Sequence, residues 1–262
     1  MSEQHSIAVS IVSPVHNEEP TLIALVERTV AVMEQYPHIQ GWEHILVDDG
    51  STDHSWQTMQ ALQARFPHVI RLEQHPHRQG QKCCYVTGFA RARGWLTVLM
   101  DADLQVLPEE LPRVLDQAVL NGCEMVCTYS DQNRGGKHRG LVSLIGNMVF
   151  MKLIFGSPVR DATANFMAVQ TRYLRGVDLI ANDQRYILPI AMRRGLARIG
   201  EVGCVFGTRD YGKSKYNKWK KMLQGVPEMI VLKRRLASGF YDEPKLEPLK
   251  ISFPVMAQSG VK

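Results

Sequence analysis

Apolar residues fall into short unbroken runs through the first half of the chain, and each run is followed by a stretch where they return every third or fourth position. Ile7 to Ser13 is β-rich and apolar and stops at Pro14; within Thr21 to Tyr36, Leu22, Leu25, Val26, Val30 and Met33 then share one helical face. The alternation continues. His44 to Val47, Val69 to Leu72, Leu96 to Met100 and Met125 to Tyr129 read as strands; Ser55 to Phe66, Gln81 to Arg93 and Leu111 to Asn121 read as helices. Strands without a polar face belong to a parallel sheet covered on both sides, so the expected class is α/β, with a Rossmann-like, mostly parallel central sheet.

Beyond Asp131 the pattern changes. A polar, basic loop from Ser130 to Arg139 leads into an apolar helix from Gly140 to Phe155, a strand near Phe166 to Gln170, a helix around Tyr186 to Arg194 and a strand near Gly200 to Phe206. An amphipathic basic helix from about Lys218 to Leu236 closes the series. With 262 residues, 45% of them hydrophobic, the chain buries one sizeable core, so one domain is expected over residues 1–240, in halves 7–130 and 131–240. The Pro-bearing segment 241–262 is expected to be a tail.

Composition narrows the setting. The stretch Gly140 to Val159 is interrupted by Asn147 and Lys152 and closed by Gly156, Ser157 and Pro158, so it falls short of the roughly 20 clean apolar residues of a membrane span. Met1 to Ser6 lacks the basic and apolar regions of a secretory signal, and the expectation is a cytoplasmic protein. Five cysteines, with only Cys123 and Cys127 near ligand spacing and no partner pair, read as reduced thiols. Lys and Arg number 31 against 26 Asp and Glu, and the cations concentrate between Arg209 and Arg235, which points to an anionic partner.

Candidate chemistry lies directly after the strands, since open α/β sheets bind ligands beyond their carboxyl ends. The first strand is followed by Pro14, His16, Asn17 and Glu18, the second by Asp48, Asp49, Gly50, Ser51, Thr52 and Asp53, and the fourth by Asp101, Ala102, Asp103, Leu104 and Gln105. Two carboxylates one residue apart at a buried strand end suit a hard divalent cation that also holds a diphosphate. Asp53 reads equally as a ligand and as the cap of the next helix.

The order and spacing of "SPVHNEEPTL", "ILVDDGSTDHS" and "MDADLQVLPEELPRVL", with the later "RDYGKSKYN", resemble the inverting family 2 glycosyltransferases of GT-A fold, and within them the dolichol-phosphate mannose synthase-like, polyprenyl-phosphate branch. The resemblance runs from Ile7 to about Leu223. It implies that residues 7–130 form a nucleotide-binding half and 131–240 an acceptor-binding half. Pro14, Asn17, Glu18, Asp48 and Asp49 would then hold the nucleotide, and Asp101, Asp103 and Gln105 a Mg²⁺ or Mn²⁺ and the diphosphate. It also implies phosphate contacts from Arg134, Arg139 and Ser143, from Arg209, Ser214 and Lys215, and a catalytic set of Asp103, Arg209 and Asp161. Three departures stand out: His16 where an aromatic is common, Asn165 in place of a Gly in "DATANFMAV", and a loose loop "HRQGQKCCYVTGF" that leaves donor contacts at Gly80 and Lys82 open.

The function expected is transfer of a sugar from a nucleoside-diphosphate sugar, GDP-mannose or a UDP-hexose, to a polyprenyl or dolichyl phosphate. An acceptor phosphate, with its second pKa near about 6, needs no strong base. A hydroxyl acceptor would, and Asp161 and Asp183 are the candidates for it, with a helix cap or an ion pair as the other reading of Asp183. Trp219, Met222, Leu223, Met229, Ile230 and Leu232 lie among lysines and arginines, so Lys218 to Leu236 reads either as a peripheral helix on the cytoplasmic face of a membrane or as an amphipathic helix packed on the sheet. A non-catalytic nucleotide- or nucleic-acid-binding module is the alternative from another class; the acid pairs and scarce stacking aromatics argue against nucleic acid.

Overall fold

The structure, a computed structural model, describes residues 7–131, 151–161, 163–207 and 218–242. Five strands alternate with four helices in the first half: β1 (Val9–Val15), α1 (Glu19–Gln35), β2 (Trp42–Asp48), α2 (Ser55–Arg65), β3 (Ile70–Gln74), α3 (Gln81–Arg91), β4 (Leu96–Leu99), α4 (Leu111–Val119) and β5 (Met125–Ser130). After residues 132–150 come a short helical piece at 151–155, β6 (Met167–Gln170), α5 (Ile187–Arg193), β7 (Ile199–Cys204) and α6 (Lys218–Ala237). Within the described residues the expected elements are present, with ends moved by at most two residues; residues 140–150 of the expected helix Gly140 to Phe155 lie outside them.

The seven strands form one sheet in the order β3-β2-β1-β4-β6-β5-β7. Every pairing is parallel except those of β6, which runs antiparallel to both β4 and β5. Because side chains alternate along a strand, the sheet feeds two cores. Val9, Ile11 and Val15 of β1 face the layer that holds Leu22, Leu25 and Met33 of α1, Met59 of α2 and Leu115 of α4. Val12, with Ile45 and Val47 of β2, faces Tyr85 and Phe89 of α3, Ile190 of α5 and Leu232 of α6. Helices therefore cover both faces, and the chain has the α/β layering expected of it.

Packing continues two residues past the expected boundary at 240. Tyr241 is buried against the second core, and its hydroxyl donates to Asp183; Asp242 takes both Nε and Nη2 of Arg193 at 2.6 and 2.9 Å. Residues 243–262, the remainder of the expected tail, lie outside the described residues. So do Arg134, Arg139 and Ser143, and likewise Arg209, Ser214 and Lys215.

All five cysteines are free thiols. No helix among the described residues is long and apolar enough to cross a membrane.

Candidate active site

The carboxyl ends of β1, β2 and β4 meet around a cavity of about 250 Å³. Pro14, Glu18, Asp49, Asp101 and Asp103, all singled out from sequence, line it together. Beside it lies a second cavity of about 600 Å³, lined by Asn17, Gly50, Ser51 and Thr52 from the first two loops and by the segment Gln74 to Arg78 after β3. His16 and Arg78 line both, and so stand at the junction.

The loops are held by side chains that sequence assigns to ligand binding. Asn17 sits in the left-handed region at φ 56°, and its side-chain oxygen accepts the backbone N–H of Thr52 at 2.8 Å and of Asp53 at 3.3 Å. Asp48 is fully buried and accepts from Ser51 N–H at 3.2 Å and from Gln74 Nε2 at 3.1 Å. Asp53 accepts the Ser55 N–H at 2.9 Å from one residue ahead of the helix cap: the cap position of α2 is His54, which makes no side-chain cap bond, so the expected capping role does not fall on Asp53. Burial alone would raise the Asp53 pKa, but the hydroxyl and N–H of Ser55 draw it below the usual carboxylate range.

Asp49 is the anchor of the loop after β3. Its two oxygens accept the backbone N–H groups of Gln79 and Gly80 at 2.7 and 2.8 Å and Nδ1 of His75 at 3.2 Å. His75 in turn reaches Thr87 Oγ1 through Nε2 at 3.0 Å. Burial opposes ionisation of Asp49, but these donors outweigh it and hold its pKa below the ordinary value. Gly50 completes the join: at φ +64° its α-carbon packs so closely on the loop that an added Cβ would meet the His77 carbonyl carbon at 2.7 Å. The carboxylate, His75 and Cys84 place three ligand-type atoms within 4.8 Å. Burial, then the Asp49 charge, pushes the Cys84 thiol up, and hydrogen bonds link His75 to both Asp49 and Cys84.

Asp101 and Asp103 provide hard oxygen donors at the cavity floor, which is the chemistry a Mg²⁺ or Mn²⁺ with a diphosphate requires. Leu104 between Asp103 and Gln105 adopts φ 55°, rare for a branched side chain, and this turn lets Gln105 N–H donate to Asp103 Oδ1 at 3.1 Å. Gln105 thus braces Asp103 through its backbone, and its carbonyl accepts the Gly207 N–H at 2.7 Å. A bridge between Val106 and Phe206 reinforces that contact, so Phe206 and Gly207 lie beside the acid loop.

Asp161 and Asp183 lie elsewhere. Asp161 is buried and accepts both the N–H and Oγ1 of Thr163, at 3.1 and 3.0 Å, in a tight turn. Asp183 pairs with Arg235 Nη1 at 2.7 Å and accepts the Tyr241 hydroxyl, which ties α6 to the body of the domain. Neither lines the two cavities.

Sequence reading missed Arg78 and the environment of Asp101. The same strand-end rule applied to β3 leads directly to the segment His75 to Gly80 and so to Arg78.

An open α/β sheet with paired carboxylates over a cavity at its carboxyl edge is the architecture of the GT-A glycosyltransferases, and the fold matches solved members of that class. Mannosyl-3-phosphoglycerate synthase from Rubrobacter xylanophilus aligns with a TM-score of 0.64 at 17% identity, over 94% of this chain and 79% of that one. A mannosyltransferase from Pyrobaculum calidifontis, solved with GDP-Man and Mn²⁺, aligns with a TM-score of 0.62 at 16% identity, over 89% and 68%. The chain belongs to glycosyl transferase family 2, whose profile matches residues 10–178. The undecaprenyl-phosphate 4-deoxy-4-formamido-L-arabinose transferase of Pectobacterium carotovorum is 32% identical over 210 residues, 80% of this chain and 62% of that protein. The dolichol-phosphate mannosyltransferase of Pyrococcus furiosus is 28% identical over 217 residues, 79% and 58%. The chain therefore spans about three-fifths of the length of these two relatives.

Proposed function

We propose that this chain is an inverting glycosyltransferase that moves a sugar from a nucleoside-diphosphate sugar to a polyprenyl phosphate. The observation that carries the reading is the pair of adjoining cavities, one lined by Asp101 and Asp103, the other built from loops, with Arg78 lining both. A nucleoside fits the loop-built cavity and the diphosphate the junction, where a guanidinium matches phosphate oxygens. Bound at Asp101 and Asp103, a Mg²⁺ or Mn²⁺ would neutralise charge on the departing diphosphate. The acceptor assignment is supported by relatives named for undecaprenyl phosphate and dolichol phosphate.

The phosphate oxygen of the lipid attacks the anomeric carbon as the bond from that carbon to the diphosphate oxygen breaks, and the bonding pair leaves with the nucleoside diphosphate. An ionised phosphate has no proton to surrender at this step. That fits a site in which the two acids considered as bases, Asp161 and Asp183, are already bonded in a turn and an ion pair.

Contact with a membrane has its natural place on α6. Met229, Leu232 and Leu236 bury into the second core, while Ile230 and Val231 are about two-fifths exposed beside exposed Lys233 and Arg234. The helix is thus packed on the domain and still presents apolar and basic groups outward, the combination that favours an anionic lipid surface.

The test is a release assay with GDP- and UDP-sugars, Mn²⁺ or Mg²⁺, and a short polyprenyl phosphate. Lipid-dependent release of nucleoside diphosphate, lost in Asp103→Ala, is the expected result. Release onto a hydroxyl acceptor without lipid would overturn the acceptor assignment, and nucleotide binding without release from any donor would overturn the enzyme assignment.

A further inference from the structure

Among the described residues, three uncharged donors from two distant parts of the chain bond Asp101. Its Oδ1 accepts Gln81 Nε2 at 2.8 Å and the Tyr85 hydroxyl at 3.1 Å, and its Oδ2 accepts Asn165 Nδ2 at 2.9 Å. Gln81 and Tyr85 are four residues apart in the first turns of α3 and so share one face. Tyr85 is buried, and its hydroxyl donates to the carboxylate from inside the domain.

Asn165 arrives from the other half of the domain. Leu99 of β4 pairs with Met167 of β6, and extending that antiparallel register by two residues sets Asp101 opposite Asn165. A parallel strand in the same place would leave the sheet in the same direction as β4 and could not return a side chain to this point from its own entry loop. The segment that carries Asn165 begins at the Asp161 turn, closed onto Thr163, so its path is fixed on both sides. A lysine or arginine in place of any of the three donors would add a positive charge that competes with a cation. Carboxamide and phenol groups orient the carboxylate without adding one.

We propose that Asn165 is a positioning residue for Asp101: its carboxamide fixes the carboxylate's rotation and couples the segment after Asp161 to the metal-diphosphate site. This rests on the donor site proposed above. The side chain touches neither cavity. It acts through Asp101, and its loss should appear in metal-dependent nucleotide binding and only secondarily in folding.

The experiment is titration calorimetry of the full chain with GDP or UDP, in Mn²⁺ and in EDTA, for wild type, Asn165→Ala, Asp101→Asn and the double variant. Outer-shell partners of metal ligands contribute about 10–100-fold to metal affinity, so Asn165→Ala should weaken Mn²⁺-dependent nucleotide binding by about tenfold or more. It should leave binding in EDTA within about twofold, and in the Asp101→Asn background its effect should fall below about twofold, because the coupling runs through that carboxylate. Gln81→Ala, on the opposite side of Asp101, should produce the same kind of loss. An Asn165→Ala protein that unfolds at lower temperature but binds Mn²⁺ and nucleotide as tightly as wild type overturns the proposal. So does an undiminished effect in the Asp101→Asn background. A wild-type chain that binds nucleotide without any dependence on metal overturns the donor-site reading itself, and this inference with it.

Discussion

Replacing Asp49 by Asn separates two roles that a carboxylate at this strand end can have. In the structure its oxygens serve Gln79 N–H, Gly80 N–H and His75 Nδ1. A carboxamide keeps one acceptor oxygen, which can serve one of the two backbone groups, while its NH₂ faces the other donor. One charge-assisted bond becomes neutral, and one backbone N–H loses its acceptor. With bonds to charged groups contributing about 1.5–3 kcal/mol and neutral ones about 1, and with Gln79 exposed and Gly80 half-buried so that the orphaned N–H can reach water, the net loss is about 2 kcal/mol. For a domain of this size that is about 4–8 °C in melting temperature if the loop opens only with the whole molecule. The sign with pH follows from the depressed pKa of Asp49: its stabilising contribution is complete above the ordinary value of 3.8 and is lost as pH falls through the lower folded value. The gap between wild type and variant should therefore be widest near neutrality and close in acid. Urea unfolding across pH, with hydrogen exchange at the Gln79 and Gly80 amides, measures both. A variant with unchanged stability and unchanged exchange that no longer binds nucleotide would refute the brace and make Asp49 a direct ligand.

Other consequences are equally specific. Arg78→Ala should weaken nucleoside diphosphate binding about tenfold, the size of a charge-assisted contact of about 1.5 kcal/mol, while binding of the bare nucleoside stays unchanged; equal losses for both in calorimetry would refute a diphosphate contact. His44 is fully buried, and that burial lowers its pKa to about 3, so the folded chain holds it neutral while the unfolded chain takes up a proton below about 6.5. Stability should drop by about 1.4 kcal/mol for each pH unit below 6.5, and a His44→Gln protein should lose that slope in urea unfolding; an identical slope would sink the assignment. Reversing Lys233 and Arg234 to Glu should reduce binding to vesicles containing anionic lipid by about thirtyfold or more, at about 1 kcal/mol per cation removed; undiminished flotation would show that this face does not meet the membrane.

The parallel half of the sheet was legible because its strands are apolar on both faces and its ligand-facing residues follow those strands directly. Pro14, Glu18, Asp49, Asp101 and Asp103 were found in this way, and they line one cavity. What the pattern could not carry was direction. Asn17 and Asp48 occupy strand-end positions where a ligand is expected, yet their oxygens turn to backbone N–H groups of the adjoining loop, because loops that leave helical and sheet geometry must find acceptors for those donors. Asp183 was ambiguous for the related reason that its partners, Arg235 and Tyr241, lie 52 and 58 residues away in sequence.

The contact least visible in sequence is the one between Asn165 and Asp101. Asn165 stood out only as a substitution for a glycine, with no local pattern to say why a carboxamide should be there. Its partner is 64 residues earlier, and the pairing depends on β6 entering the sheet against the direction of β4. A hydrophobic run of four residues specifies that a strand exists; it does not specify its orientation, since Met167 and Val169 bury equally well either way round. Orientation is set by the connection from the Asp161 turn and by the two-sided pairing of β6 with β4 and β5. The reversal brings the entry to β6, and not its exit, to the carboxyl edge where Asp101 lies. A family 2 chain with β6 inserted parallel could keep every acidic motif in place and still lack a side chain from its second half at the Asp101 carboxylate.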